Sequence, residues 1–82
     1  MKKMSNYKKS RRQIILKNHL KEIRTEKGLT QLELAIKSGT TQNNISQIET
    51  FKYSPTAYNA LLIAYALDCR VEDIFYFDIR NS

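Results

Sequence analysis

The chain has 82 residues, of which 41% are hydrophobic and 27% are charged, and it carries one cysteine and a net charge of +6. This length allows one small domain, and a lone cysteine excludes an intramolecular disulfide or a multi-cysteine zinc site, so a reducing, cytoplasmic setting is expected. No apolar run approaches the roughly 20 residues of a membrane span, and without a phosphate loop, a serine elbow or paired histidines we expect no catalytic residues, metal or cofactor.

The positive charge is concentrated at the start of the chain. Residues 1–17 contain seven basic residues and no acid, whereas residues 18–82 contain seven basic and eight acidic residues. Residues 1–12 are polar and unpatterned, which predicts a flexible basic arm ahead of one domain at residues 13–82. Such arms commonly bind nucleic acid. A solubilising tail is the alternative interpretation.

The next elements along the chain are a strand and a first helix. The β-branched stretch "QIILK" (residues 13–17) favours a strand. Asn18 is a good N-cap, and Leu20 and Ile23 fall on one face of the helix that follows. Gly28 is a natural stop for this helix because glycine tolerates a left-handed backbone.

A second helix is predicted between a capping box and a glycine. Thr30 is followed three residues later by Glu33, the spacing of a capping box, and Gly39 permits a tight left-handed turn. Ala35 is small enough to let the next helix cross closely. The apolar positions of this helix are Leu32, Leu34, Ala35 and Ile36.

A third helix, capped by Thr41, places Ile45 and Ile48 inward against the second, and this pair of helices is a helix-turn-helix. Its outward face carries only amides and hydroxyls: Gln42 at the exposed end, then Asn43, Ser46, Gln47 and Thr50. An amide offers a donor and an acceptor that match the N6 and N7 edge of adenine in the major groove. A protein that contacts only phosphates would carry Lys and Arg here. The face is therefore interpreted as a reader of bases, with a solvated polar face as the alternative.

The C-terminal part is predicted to contain two helices and a strand. The stretch "FKYSP" breaks the helical pattern, Thr56 caps a fourth helix that runs to about Leu67, "VEDIF" forms a short fifth helix, and "YFDIR" forms the second strand. The predicted core stripe of the fourth helix is Ala57, Ala60, Leu61, Ala64 and Leu67.

A second apolar stripe on the fourth helix predicts a protein interface. Tyr58, Leu62 and Tyr65 recur at helical spacing, and an exposed apolar patch usually marks a partner surface. We expect a homodimer that uses this stripe, the fifth helix and the aromatic tail. The tail residues assigned to the interface are Ile74, Phe75, Tyr76 and Phe77. Alternatively, Tyr58 and Tyr65 cover the terminal strands of their own chain.

The stretch "LKEIRTEKGLTQLELAIKSGTTQNNISQIE" resembles the DNA-binding domain of the phage repressor and Cro family, and the resemblance covers about residues 18–75. It implies an all-α, five-helix domain that binds operator DNA as a symmetric dimer and regulates transcription, by default through promoter occlusion. The flanks "QIILK" and "FYFDIR" resemble those of small regulators whose chain ends pair as a short antiparallel sheet. An antitoxin with a toxin partner, a target of an antirepressor protein, and a restriction–modification controller remain alternatives.

The resemblance also implies roles for individual residues. Gln42, Asn43 and Gln47 match base-reading positions, and Asn44 and Ser46 match positions that touch bases or the DNA backbone. The positions assigned to the DNA backbone are Gln31, Thr41, Lys52 and Tyr53, with Arg11 and Arg12 from the arm. Arg24 and Glu49 match a salt bridge between the first and third helices. Three departures stand out: Phe51 replaces a glycine after the third helix, Arg70 replaces a small hydroxyl cap of the fifth helix, and most family members lack so basic an arm.

Overall fold

The computed structural model describes residues 12–81. Its elements are β1 (Arg12–Asn18), α1 (Leu20–Glu26), α2 (Gln31–Ser38), α3 (Gln42–Glu49), α4 (Ala57–Ala66), α5 (Val71–Ile74) and β2 (Phe75–Asn81). The predicted five-helix domain is confirmed, as is the antiparallel pairing of the chain ends. Arg12 begins the first strand, and the rest of the predicted arm lies outside the described residues. No helix within residues 12–81 has the length and apolar character that a membrane span requires.

Local chemistry sets most of the helix boundaries. Thr30, Thr41 and Thr56 cap α2, α3 and α4, and each hydroxyl accepts a hydrogen bond of 3.0–3.1 Å from the backbone N–H three residues further on. Each such cap typically stabilises a helix by about 1 kcal/mol. Gly28 and Gly39 both have φ of 74°, which lets α1 and α2 end in tight left-handed turns. The predicted caps at Thr30, Thr41 and Thr56 and the predicted stops at Gly28 and Gly39 are therefore confirmed.

The start of α1 differs from the prediction by one residue. His19, not Asn18, occupies the N-cap position, and its side chain makes no capping bond. Asn18 instead acts through both ends of its amide: Oδ1 accepts from Leu20 N–H at 3.0 Å, and Nδ2 donates to the Ile48 carbonyl at 3.0 Å. The Asn18 side chain therefore links the first residue of α1 to the C-terminal end of α3 through two hydrogen bonds.

The core lies where the five helices meet. Its buried side chains are Leu20, Leu34, Ala35, Ile45, Ile48, Ile63, Ala64, Leu67 and Ile74. On α2, only Leu34, Ala35 and Ser38 face this core, while Leu32 and Ile36 are 51% and 71% exposed. The four apolar residues of α2 therefore divide between a buried and an exposed side, because one side of a helix spans only a third or so of its circumference.

The buried face of α4 also differs from the predicted one. Ala60, Ile63, Ala64 and Leu67 face the core, whereas Leu61 is 61% exposed. Ala57 is exposed as well. The exposed residues Tyr58, Leu61 and Tyr65 and the half-buried Leu62 follow the same i, i+3, i+4, i+7 spacing, displaced by two positions or about 200°. The helix thus has apolar stripes on two nearly opposite sides.

Candidate DNA-binding site

The helix-turn-helix is built by close contact between α2 and α3. Ala35 is 1% exposed, and its carbonyl accepts a hydrogen bond from Thr40 N–H at 2.9 Å. The buried Ser38 hydroxyl donates to the Leu34 carbonyl at 2.8 Å, so this polar group is satisfied inside the contact. Ile45 and Ile48 are 0% and 1% exposed and anchor α3. The opposite side of α3 is therefore turned outward in a defined orientation.

The outward side of α3 is polar and uncharged. Gln42 and Asn43 are exposed, and Ser46 and Gln47 are half-buried along the same helix. Asn44 differs from the others because its Nδ2 donates to Thr40 Oγ1 at 2.9 Å, which turns its amide back to the turn. Of the predicted base-reading residues, Gln42, Asn43 and Gln47 present their amides outward and Ser46 presents a hydroxyl. The amide of Asn44 is already hydrogen-bonded within the domain.

Glu49, the only charged residue of α3, is held away from the outward side by an ion pair. Its Oε2 lies 2.6 Å from Arg24 Nε, and Oε1 accepts from Arg24 Nη2 at 3.1 Å. The two side chains are only 12% and 3% exposed. Arg24 Nη1 also donates to the Leu29 carbonyl at 2.8 Å. The structure therefore brings together the two residues matched to a salt bridge and leaves the α3 surface electrically neutral.

The same carboxylate reaches the start of α2. Gln31 Nε2 donates to Glu49 Oε1 at 3.0 Å, so one acidic group links α1, α2 and α3. The hydrogen bond that Arg24 donates to Glu49 raises the pKa of the Arg24 guanidinium above its ordinary value, so this side chain stays charged. Because a bidentate Arg–carboxylate pair is strongly directional, this network fixes the angle of α3 and holds Gln31, a predicted phosphate contact, at the edge of the same surface.

The segment after α3 adopts the conformation that a glycine would normally supply. Phe51 has φ of 63°, its N–H donates to the Ile48 carbonyl at 3.1 Å, and Lys52 N–H donates to the Gln47 carbonyl at 2.9 Å. These two bonds complete a left-handed helix end. The replacement of glycine by phenylalanine therefore leaves the turn intact, at a backbone cost of about 1 kcal/mol.

The remaining residues predicted to contact the DNA backbone lie around α3 and differ in exposure and hydrogen bonding. Lys52 and Tyr53 are exposed in the loop after α3. Thr41 is exposed, and its hydroxyl accepts the capping bond of α3. Arg11 lies outside the described residues, and of Arg12 only the backbone, at the start of β1, is described.

The predicted interface residues of α4 face solvent. Tyr58 and Tyr65 are 72% and 87% exposed, so the alternative that they cover strands of their own chain is wrong. Beside them, the half-buried Leu62 lines a shallow groove of about 690 Å³ between α4 and α5. The groove is also lined by Leu61, Ala64, Cys69, Arg70, Val71 and Glu72. Partial burial raises the pKa of the Cys69 thiol above its ordinary value, which keeps the thiol neutral.

The predicted interface residues of the tail separate into two groups. Ile74 is 0% exposed and belongs to the core, so its assignment to an interface was wrong: the start of the tail serves the chain's own interior. Phe75 is half-buried against the core. Tyr76 and Phe77 are 38% and 65% exposed, and Tyr76 stacks on His19 with ring centroids 4.5 Å apart.

Two features of the site were missed. The prediction placed Leu61 in the core, although it is part of the exposed stripe, and it did not find the bond from Asn18 to the end of α3. Nothing in the local sequence indicates that bond, because its partners lie 30 positions apart. For Leu61, the i, i+3, i+4, i+7 spacing with Tyr58 and Tyr65 was a usable signal.

A short turn between two packed helices, with the second presenting polar side chains to solvent, defines a DNA-binding helix-turn-helix domain. The family model described as helix-turn-helix matches residues 20–74. The chain belongs to this family, whose members are DNA-binding transcriptional regulators.

Relatives from archaea and bacteria are similar over most of the chain. An uncharacterized HTH-type transcriptional regulator of Archaeoglobus fulgidus is 38% identical over 63 residues, which span 77% of this chain and 90% of that protein. One from Methanothermobacter thermautotrophicus is 45% identical over 60 residues, spanning 72% and 87%. Among solved structures, the restriction–modification controller protein C.AhdI from Aeromonas hydrophila is 35% identical with a TM-score of 0.64, covering 66% of this chain and 78% of that one.

Proposed function

We propose that this protein is a sequence-specific transcriptional regulator, acting by default as a repressor, that binds a palindromic operator as a homodimer. The observation that carries the proposal is the uncharged outward side of α3, where Gln42, Asn43 and Gln47 are presented without an internal hydrogen-bond partner among the described residues. In this reading α3 enters the major groove, and each bidentate amide–adenine pair discriminates against a wrong base by roughly 1–3 kcal/mol.

The residues around α3 support sequence-specific recognition of bases by α3 rather than electrostatic attraction to phosphates alone. Base recognition needs side chains held in a fixed register on the duplex, and contacts to phosphate supply that register. Here the Arg24–Glu49–Gln31 network fixes α3, and Gln31, Lys52 and Tyr53 flank it on segments that precede and follow the helix. The neutral α3 would read bases while the flanking residues contact the backbone.

A dimer explains how a domain of this size reaches useful specificity. One α3 spans only a few base pairs, so two copies would read two half-sites about 34 Å apart, one turn of DNA. The exposed stripe that includes Tyr58, Leu62 and Tyr65 is the proposed contact between the copies. Bound across a promoter, such a dimer would block polymerase, which gives repression.

The test compares selection of binding sites from random duplexes by the intact protein and by Gln42→Ala/Gln47→Ala. We expect the intact protein to enrich a palindrome and the amide variant to lose at least tenfold of its preference for that site over scrambled DNA. Gln13→Ala is a matched control because Gln13 is also an exposed amide but lies on β1. An amide variant that keeps its preference would show that the side of α3 is merely solvated.

The proposed role of the basic arm is separate and electrostatic. Residues 1–11 hold five basic side chains and no acid, so their contribution to DNA binding should depend little on the base sequence. Each phosphate that the arm neutralises should add about 0.9 to the slope of log affinity against log salt. Deleting residues 1–11 should therefore weaken binding to all DNA and flatten the slope, while the preference for operator persists. An unchanged affinity and slope would leave the arm as a solubilising tail.

A second candidate function is control of a restriction–modification system. The likeness to C.AhdI, a restriction–modification controller protein, favours it specifically. The two functions share the DNA-binding step and differ in what is regulated. Footprinting upstream of the protein's own gene, together with the identity of the adjacent genes, separates them: neighbouring nuclease and methylase genes would support the controller.

A further inference from the structure

The ribbon formed by β1 and β2 has one apolar and one charged side. Its register pairs Ile14 with Ile79 and Leu16 with Phe77, and directly opposed residues of an antiparallel pair point to the same side. These four side chains, here called the ribbon face, are 52%, 53%, 37% and 65% exposed. Lys17, Asp78 and Arg80 lie on the other side, where Asp78 pairs with both bases at 3.1 Å.

Such a ribbon is not expected to be stable by itself. A two-stranded ribbon in water is marginal, and three strands or a packed hydrophobic face are usually needed. This one packs on the helices only at its base, where Phe75 lies half-buried against the core. Beyond that point, the side chains of the ribbon face keep between 37% and 65% of their surface exposed.

The ribbon face is continuous with the apolar surface of α4. Val71 lines the groove beside Tyr58 and Tyr65. Val71 begins α5 and Phe75 directly follows its end; both are partly buried against the same core, and Phe75 shares its side of β2 with Phe77. An apolar path therefore runs from α4 across α5 to the ribbon face, so one partner could cover both regions.

The exposed areas of the two regions can be compared with the area that a stable dimer interface buries. Aromatic side chains bury about 150–250 Å² each and Leu and Ile somewhat less; scaled by the exposed fractions, the stripe of α4 offers roughly 500 Å² and the ribbon face roughly 400 Å². A standard interface buries about 800 Å² on each partner. The stripe of α4 alone offers less than that total area, whereas the two regions together offer about as much.

We infer that the ribbon face is covered by a second copy of this chain, the two ribbons packing face to face, so that each ribbon is stabilised by dimerisation. A second copy fits because it carries an identical uncharged face, and two such faces can stack about 10 Å apart. DNA does not fit, since the ribbon face offers it neither a charge nor a hydrogen-bonding group. The inference rests on the proposed homodimer and adds a second region of contact to it.

The first test uses the unmodified protein. A mixed dimer of ¹³C-labelled and unlabelled chains is examined for NOEs between copies. We expect contacts between the Phe77 ring of one copy and the methyl groups of Ile14, Leu16 or Ile79 of the other. A dimer that shows contacts between copies at Tyr65 and none at Phe77 would overturn the inference and leave the proposed homodimer standing. A chain that stays monomeric would overturn both.

The second test uses matched variants that keep β-branched side chains. Ile14→Thr/Ile79→Thr changes a cross-strand pair on the ribbon face, and Ile15→Thr changes the adjacent isoleucine on the other side, which is 38% exposed. By sedimentation equilibrium, we expect the dimer Kd to rise on the order of 100-fold for the former, because four methyl-bearing contacts are lost per dimer, and less than threefold for the control. Equal Kd values for the two variants, with native helical content by circular dichroism, would overturn the inference.

Discussion

Removing the Glu49 carboxylate tests the claim that one acidic side chain sets the orientation of α3. In Glu49→Ala, Arg24 loses two charge-assisted hydrogen bonds, at 2.6 and 3.1 Å, and keeps only the bond to the Leu29 carbonyl. Its side chain is 12% exposed, so little water can replace the lost partner. Gln31 Nε2 loses its acceptor as well.

The expected loss of stability is large for a domain of this size. Breaking a buried pair on one side costs about 3–5 kcal/mol. The lower end applies here because Arg24 keeps one bond and lies near the surface, which suggests about 3 kcal/mol. Since 1 kcal/mol shifts Tm by about 4–8 °C in domains of 60–100 residues, we expect Tm to fall by about 15 °C.

The assay is thermal and urea unfolding followed by circular dichroism at 222 nm. Glu26→Ala is the matched control, because Glu26 is an exposed glutamate of α1, and it should change the free energy of unfolding by at most about 0.5 kcal/mol. Arg24→Met/Glu49→Leu should recover most of the loss, since a hydrophobic pair of similar volume leaves no unpaired charge. A Tm shift for Glu49→Ala no larger than that of the control would refute the reasoning.

Three further changes test other parts of the structure. Phe51→Gly should raise the free energy of unfolding by about 1 kcal/mol, because φ of 63° is strained for phenylalanine and the ring is 60% exposed; Phe51→Ala keeps the strain and should give no gain, so equal melts for the two variants would contradict this account. Tyr65→Glu places a charge in the exposed stripe of α4 and should convert the dimer to monomer by sedimentation; an unchanged dimer would remove α4 from the interface. The hydrogen bonds from Lys17 and, secondarily, Arg80 lower the pKa of Asp78, so its pKa in the folded state lies below that in the unfolded state. The pairing therefore stabilises the ribbon above about pH 4, and this stabilisation is lost as the pH falls further. Amide protection in β1 and β2 should accordingly decline as the pH falls below about 4 in the native protein and not in Asp78→Asn, which NMR hydrogen exchange can measure.

Signals that act over a few residues were readable from the sequence. The hydroxyl caps at Thr30, Thr41 and Thr56 and the glycine stops at Gly28 and Gly39 depend only on backbone groups within one helical turn. They delimit the helices, and the i, i+3 spacing of two isoleucines turns the amides of α3 outward. These features are local because a cap bonds to an N–H three residues away and a glycine needs no partner at all.

The tertiary structure decided what local signals leave open. In α4, apolar residues occur on both sides, so periodicity could not choose between Leu61 and Ile63; packing against α2 and α5 buried Ile63 and left Leu61 in solvent. Ile74 is buried in the core, and Asn18 donates a hydrogen bond to the Ile48 carbonyl, 30 positions away in the sequence. Each of these outcomes depends on groups far apart in sequence whose distance is set only when the helices pack. A helix therefore carries its boundaries in its own residues, while its buried side is chosen by the neighbours it meets.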